Sequence, residues 1–460
     1  MKWIGLNISK RLCIISLWFV LLATGCKKLI HVDEPDDSLT TSAVFSNDSL
    51  AQAAVTGLYL KVMGSSSFLL NGAMSLYPGL SADEFIRTNP SINEDPFANN
   101  LIFSDNQIIY INLWKAAYNY IYQCNISVEG LTKSNGVSRA LKQQLLGEVL
   151  FMRALCYYYL VNLFGEVPLV LGTNADVNTM LFQAPVRQVY KQVEADLTVA
   201  YDMLLTNTPN TKPTKFAVQA LMARVYLFTE KWDKAEEMAS NVINSGQFLL
   251  VDELSNVFKI NSNETILQLA PVADRMNAAE GFIFVPAPSA LPRPNYMLTD
   301  SLWNAFEPGD LRKGKWVNTV TVGGKVYNYP YKYRVYMNSI VSERNVVLRL
   351  AEQYLIRAEA RVHLSRTDDA VIDLNKIRIR AGLPAFSSTI GSEECLQKIE
   401  QERRIELFAE WGHRWFDLKR TNRANAVLKT KVNWKTEDQL YPIPQTELEF
   451  APNLVQNPGY

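Results

Sequence analysis

The 460-residue chain has three histidines, His31, His363 and His413, and five cysteines with no CxxC pair. Those scarcities remove much of the usual catalytic and metal chemistry. Cysteine spacing gives no zinc site. HExxH, GxSxG, a P-loop and GxGxxG are all absent, so zinc-peptidase, hydrolase-elbow, nucleotide and dinucleotide fingerprints are missing and no cofactor is expected. Surplus charge is lacking too: 46 Lys and Arg face 46 Asp and Glu. That balance offers no electrostatic case for nucleic acid, while allowing a neutral ligand such as a sugar. After the first 25 residues no apolar stretch approaches the about eighteen residues of a membrane-crossing helix.

What is present begins at the N-terminus. Lys2, Lys10 and Arg11 precede an uncharged run, Leu12 to Ala23, which stops at Ala-Thr-Gly-Cys26. A basic start, a short apolar core and small residues read as a signal peptide over 1–25. The cysteine resembles a bacterial lipobox, with Leu22 four places before it where the usual pattern prefers three. Cys26 is then the lipid-attachment residue, and residues 26–42 form a polar tether. Losing the three basic residues leaves the mature chain at −3. Cys124, Cys156 and Cys395 lie in helical patterns beside apolar neighbours and read as buried free thiols.

From residue 43 onward the pattern reads as one mostly α unit. Helices are expected over about 47–63, 108–245 (as 108–131, 137–163, 185–205, 214–229 and 231–245) and 346–412 (as 346–364, 367–381 and 392–412). Residues 64–106 and 246–345 lose the helical period and gain Gly, Pro, Asn and Ser, so they read as irregular excursions of loop and short strand. Residues 439–460 read as a surface-lying end. Ala223, Tyr226, Trp232 and Ala235 span two helices joined by a short turn, and Ala358 and Ala370 repeat the same twelve-residue offset. Small residues at such offsets let paired helices approach, as in tetratricopeptide (TPR) hairpins.

Nine stretches carry a resemblance. They are Gly147–Ala154 (GEVLFMRA), Leu163–Leu169 (LFGEVPL), Val347–Glu352 (VLRLAE), Arg357–Ala360 (RAEA) and Leu374–Arg378 with Ala381–Pro384. Then follow Glu402–Leu407 (ERRIEL), Gly412–Leu418 (GHRWFDL), Leu440–Pro444 (LYPIP) and Gln456–Tyr460 (QNPGY). In this order they resemble the SusD/RagB family of outer-membrane lipoproteins across nearly the whole chain. The resemblance implies TPR-like helical pairs packed against an irregular ligand-binding half. It also implies a lipid anchor on the outer face of a Gram-negative outer membrane. The implied partner is a SusC-like TonB-dependent transporter, contacted by the helical half. The implied ligand is an oligosaccharide, with peptide or another nutrient as the alternative, and no catalysis. A glycoside hydrolase stays open at this point, because acids are plentiful and their spatial separation is not read from sequence.

Arg153, Arg357 and Glu359 read as scaffold ion pairs, and Glu402, Arg403, Arg404 and Glu406 as a helix-surface network. GHRWFDL reads as a fold signature in spite of its His, Arg and Asp. Trp114, Tyr118 and Asn125 read as core. Sugars stack their C–H faces on aromatic rings and hydrogen-bond through their hydroxyls. The ligand-contact candidates therefore come from the two irregular excursions: Arg87, Asn93, Phe97, Asn99 and Asn100 from the first, and Tyr296, Trp303, Trp316, Tyr327 and Tyr331 from the second.

Overall fold

A computed structural model of the chain describes residues 40–289 and 292–460. The expected signal peptide, Cys26 and the expected tether up to residue 39 lie outside them. The expected tether ends early: Thr41–Val44 is already helical, with the Thr40 hydroxyl accepting from Ala43 N at 3.2 Å.

The helical ladder is built from α1 (Asp48–Met63), α3 (Ala116–Lys133), α4 (Arg139–Phe164), α5 (Val186–Met203), α6 (Lys215–Phe228), α7 (Trp232–Asn244), α9 (Leu350–His363), α10 (Thr367–Arg380) and α11 (Ser392–Glu406), with α2 (Ala73–Ser81) and α8 (Ala279–Phe284) standing apart in the excursions. Each of α3 to α6 packs on the next, α7 packs on α9, and α9 packs on both α10 and α11. The repeat read from sequence therefore stacks in space, with pair α6–α7 against pair α9–α10, although 105 residues separate Asn244 from Leu350 in the chain. Ala223, Ala235, Ala358 and Ala370 are all fully buried, so the absence of a long side chain lets the helix axes close up. Stops fall where the local chemistry puts them. Gly165 (φ +76°) ends α4 ahead of Pro168, and Gly382 (φ +77°) ends α10. A Cβ on Gly382 would sit 2.8 Å from Leu311 Cγ.

Among the described residues, four two-stranded antiparallel ribbons punctuate the helices. Three of them position the irregular half. β1 (Phe85–Arg87) pairs with β3 (Tyr296–Leu298), β2 (Thr265–Leu269) with β6 (Asn345–Arg349), and β4 (Val317–Val322) with β5 (Lys325–Pro330). The β4–β5 turn is Gly323-Gly324, both at positive φ, as a tight two-residue hairpin requires.

Several expectations are corrected. Residues 346–349 are strand, not helix: Asn345–Arg349 is buried on both faces, and α9 begins at Leu350. The helix expected over 392–412 breaks after Glu406. Ala409 (φ +55°), Trp411 (φ +46°) and Gly412 (φ +73°) turn the chain before α12 (His413–Arg420). The first excursion hides a helix, α2 (Ala73–Ser81), buried on every side and therefore without amphipathic period. The C-terminal segment is not wholly superficial, since Tyr441 and Ile443 are fully buried.

Glu402, Arg403 and Glu406 are core residues rather than helix surface. Glu406 bonds Arg349 at 2.6 Å and Arg312 at 3.0 Å, and also pairs with Arg380. Arg349 reaches Glu264 at 2.9 Å and Glu410 at 2.7 Å. A buried network of this kind fixes which elements meet more than it adds net stability. Scaffold pairs match the expectation: Arg153–Asp196 at 2.7 Å, Arg357–Asp373 at 2.7 Å and Arg420–Glu359 at 2.5 Å. Asp417 accepts from Arg403 (2.8 Å) and Arg420 (2.7 Å), while Trp415 is buried, so GHRWFDL works as a structural knot. Cys124, Cys156 and Cys395 are free and buried, and Trp114 and Asn125 are core.

Candidate functional site

The β1–β3 ribbon brings the two excursions together. Arg87 pairs with Tyr296 across it. Beyond the ribbon, Thr88 N donates to Asn295 O at 2.9 Å and Thr88 Oγ1 to Pro294 O at 2.5 Å, while Arg293 bonds Asn89 Oδ1. Residues about two hundred positions apart in sequence thus share one rim.

Beside this rim lies a groove of about 230 Å³, lined by Ser67, Phe282, Ile283, Pro286, Ala287, Ser289, Arg293, Asn295, Tyr296 and Tyr336. Its aromatic wall is Phe282 stacked on Tyr336, with ring centroids 5.0 Å apart and planes at 25°. Both rings are half-buried. Glycine makes that stack possible. Phe282 sits on α8 (Ala279–Phe284) next to Gly281, where a Cβ would fall 2.3 Å from Val335 O. At Gly72 (φ +90°) a Cβ would meet Ile283 Cδ1 at 2.6 Å. The Tyr336 segment is clamped from behind. Glu343 accepts from Arg334 N at 2.9 Å and Val335 N at 3.1 Å, and Asn277 donates to Asn338 O at 3.2 Å while accepting from Ser342 N at 2.8 Å.

Tyr296 forms part of the wall rather than a free platform. Its hydroxyl donates to Glu94 Oε2 at 2.6 Å and accepts from Arg87 Nη1 at 3.1 Å. Burial pushes its phenol above the ordinary range, so the hydroxyl stays protonated. Arg87 pairs with Glu94, donates through Nε to Asn89 O at 2.9 Å, and lies 5.2 Å from the Tyr296 ring centroid. Asn295 and Arg293 stay exposed beside these rings, and they supply amide and guanidinium groups for hydroxyls. Adjoining this rim, residues 90–106 line a shallow depression of about 720 Å³ that includes Asn93 and Asn99, both exposed.

Of the ten candidates, then, Arg87 and Tyr296 meet at the rim, and Asn93 and Asn99 face the neighbouring depression. Six others are corrected by burial or by the partners they already have. Phe97 is fully buried, stacked on Tyr77 at 4.9 Å and edge-on to Tyr441 at 5.4 Å. Trp316 is fully buried and donates through Nε1 to Leu254 O at 2.9 Å. Asn100 holds a left-handed turn (φ +53°) and donates to Val432 O at 2.7 Å. Tyr327 is buried in the β5 strand. Trp303 is half-buried with Lys313 Nζ 4.0 Å from its ring centroid, so its face is covered. Tyr331 is half-buried, edge-on to Tyr329 at 6.0 Å, with Arg334 over its ring. Phe282, Arg293 and Asn295 were not singled out from sequence. The only local signal is their placement within the second excursion, in and beside the proline cluster Pro286 to Pro294.

Comparison with known proteins agrees with this architecture. The SusD family model matches residues 301–460, and a second model, described as starch-binding associating with outer membrane, matches residues 33–227. SusD-like protein P2 of Formosa agariphila is 26% identical over 96% of this chain and 99% of its own length. The starch-binding protein SusD of Bacteroides thetaiotaomicron is 24% identical over 72% of this chain and 75% of its own. Among solved structures, a laminarin binding SusD-like protein aligns with a TM-score of 0.76 at 24% identity, covering 90% of this chain and 100% of its own. Surface glycan-binding protein A from Bacteroides fluxus aligns with a TM-score of 0.74 at 21% identity, over the same shares. With family matches in sequence order over residues 33–227 and 301–460 and the fold to go with them, the chain belongs to the SusD/RagB family of SusD-like proteins.

Proposed function

We propose that the protein captures oligosaccharides at the outer-membrane surface, held there by a lipid on Cys26, and passes them to a SusC-like TonB-dependent transporter. The carrying observation is the convergence of the stacked Phe282–Tyr336 pair with the exposed Asn295 and Arg293 at one groove. Aromatic faces and amide or guanidinium donors are what a sugar ring needs. The names of its relatives, starch-binding and laminarin binding, point the same way. The description of its N-terminal family match supports an outer-membrane location, and no helix among the described residues is long and apolar enough to cross a membrane.

No carboxylate lines the groove among the described residues. Each stacking contact adds on the order of 1 kcal/mol, and hydrogen bonds exchanged with water return little more. A dissociation constant in the range of about 1 µM to 1 mM is therefore expected for the protein alone. The test is calorimetry of the full chain against starch-type and laminarin-type oligosaccharides and against peptides, with the mixtures checked for products. Saturable heat from one saccharide class, with no product released, is the expected result. Heat from peptides alone moves the reading to peptide capture, and product release replaces it with hydrolysis.

A further inference from the structure

A larger cleft, of about 810 Å³, lies beside the outer face of β1, walled by α11, the start of α12 and the segment 423–432. Its chemistry differs from that of the aromatic groove. Phe85, its lone aromatic lining residue, is 1% exposed. The polar wall is a ladder of alternating charge. Asp83 accepts from Arg404 Nη2 at 2.6 Å and from Arg414 Nε at 2.9 Å. Glu400 lies 3.4 Å from Arg414 Nη1 and 3.3 Å from Arg423 Nε. Three guanidiniums thus share two carboxylates, and both ends of the ladder are cationic. Arg423, at one end, is half-exposed, and its single carboxylate partner is already shared. Lys431 also lines the cleft, donating its ammonium to the Leu80, Ser81 and Ala82 carbonyls at 2.8, 2.7 and 2.6 Å. Thr299, Ser301 and Thr430 add hydroxyls.

The ladder opens on a cleft, with one more guanidinium than carboxylates along it. Guanidiniums present planar paired donors to carboxylate and sulfate oxygens. We propose that this cleft is a second ligand site, which takes an anionic oxygen group, a carboxylate or a sulfate ester, carried on a saccharide. Asn99 lines both this cleft and the depression formed by residues 90–106, so these two hollows adjoin. The saccharide part of the proposal rests on the capture reading, and the anion part does not.

The test is calorimetry of the full chain with trigalacturonate, with a neutral oligosaccharide and with sodium sulfate. Trigalacturonate is expected to bind saturably, to be displaced by sulfate, and to weaken as ionic strength rises. Arg423→Gln should weaken it by about tenfold or more, the usual scale for one charge-assisted hydrogen bond. Gln397→Glu, at an exposed position on the same wall, should weaken it as well. Both variants should keep the wild-type melting temperature and the wild-type affinity for a neutral ligand. Silence from trigalacturonate and sulfate at millimolar concentration overturns the inference, as does trigalacturonate binding that both variants leave unchanged. A neutral oligosaccharide that binds while both anions stay silent sinks this inference alone. Sulfate binding lost in Arg423→Gln with every saccharide silent sustains the anion site and sinks the capture reading.

Discussion

Glu84 is buried directly behind the Asp83 ladder, and its Oε1 has no hydrogen-bond partner. Burial pushes its carboxyl from the model-peptide value of 4.5 up to about 8, with the Asp83 charge adding to the rise and Arg414, Lys332 and Arg404 opposing it. A carboxyl whose folded pKa lies above its unfolded value gives its full stabilisation below about pH 4.5. That stabilisation is lost as pH rises towards 8. Glu84→Gln should therefore be more stable than the wild type at pH 8, by on the order of 1–3 kcal/mol. The gap should close near pH 5, which thermal unfolding at the two pH values measures. Lys431, lowered by burial to about 7, acts with the opposite sign, so only the difference between variant and wild type isolates Glu84. Glu406 is the contrasting case. Burial works against its charge, but Arg380, Arg349 and Arg312 outweigh it and hold the carboxyl below the ordinary range. Glu406→Gln leaves those cations short of a partner and should cost about 3–5 kcal/mol in urea unfolding.

Elements were legible from sequence where a helix has a wet side. α10 alternates core and solvent positions and is followed by the Gly382 and Pro384 stop signals, so its pairing with the apolar-spaced α9 was readable. α2 was not, because all nine of its residues are buried and its pattern has no period. Val346–Leu348 read as helix because an apolar run buried on both faces has the same composition as a buried helix turn. The ligand groove depends on long-range ribbon pairing, Arg87 with Tyr296, which no local pattern encodes. That is why Trp316 and Phe97 looked as eligible as Arg87, and why Phe282 was passed over. Gly281 offers the test at this level. An added methyl meets the Val335 carbonyl, so Gly281→Ala must push α8 away from the Tyr336 segment. The expected cost is about 1–3 kcal/mol of stability, with saccharide affinity falling in parallel. Retention of wild-type affinity would separate the groove from this contact.

Across the molecule, one apolar cluster runs from Phe45 to Ile443 and a second joins α9, α10 and α11. The charged motifs lie away from the groove: ERRIEL and GHRWFDL tie α11 and α12 to β6 and to Asp83. The order of those motifs was enough to read the architecture. It was uninformative about the ligand, because the side chains that distinguish this groove sit in the excursions between motifs. The measurement that bears most directly on capture at the Phe282–Tyr336 groove is calorimetric titration of the wild type, Phe282→Ala and Tyr336→Ala with the saccharide found in the screen. Both rings are half-buried at the surface, so the variants should melt close to the wild type, while affinity falls by about three- to tenfold for each lost stacking face. Wild-type affinity in both folded variants would contradict the account and place the sugar elsewhere on the molecule.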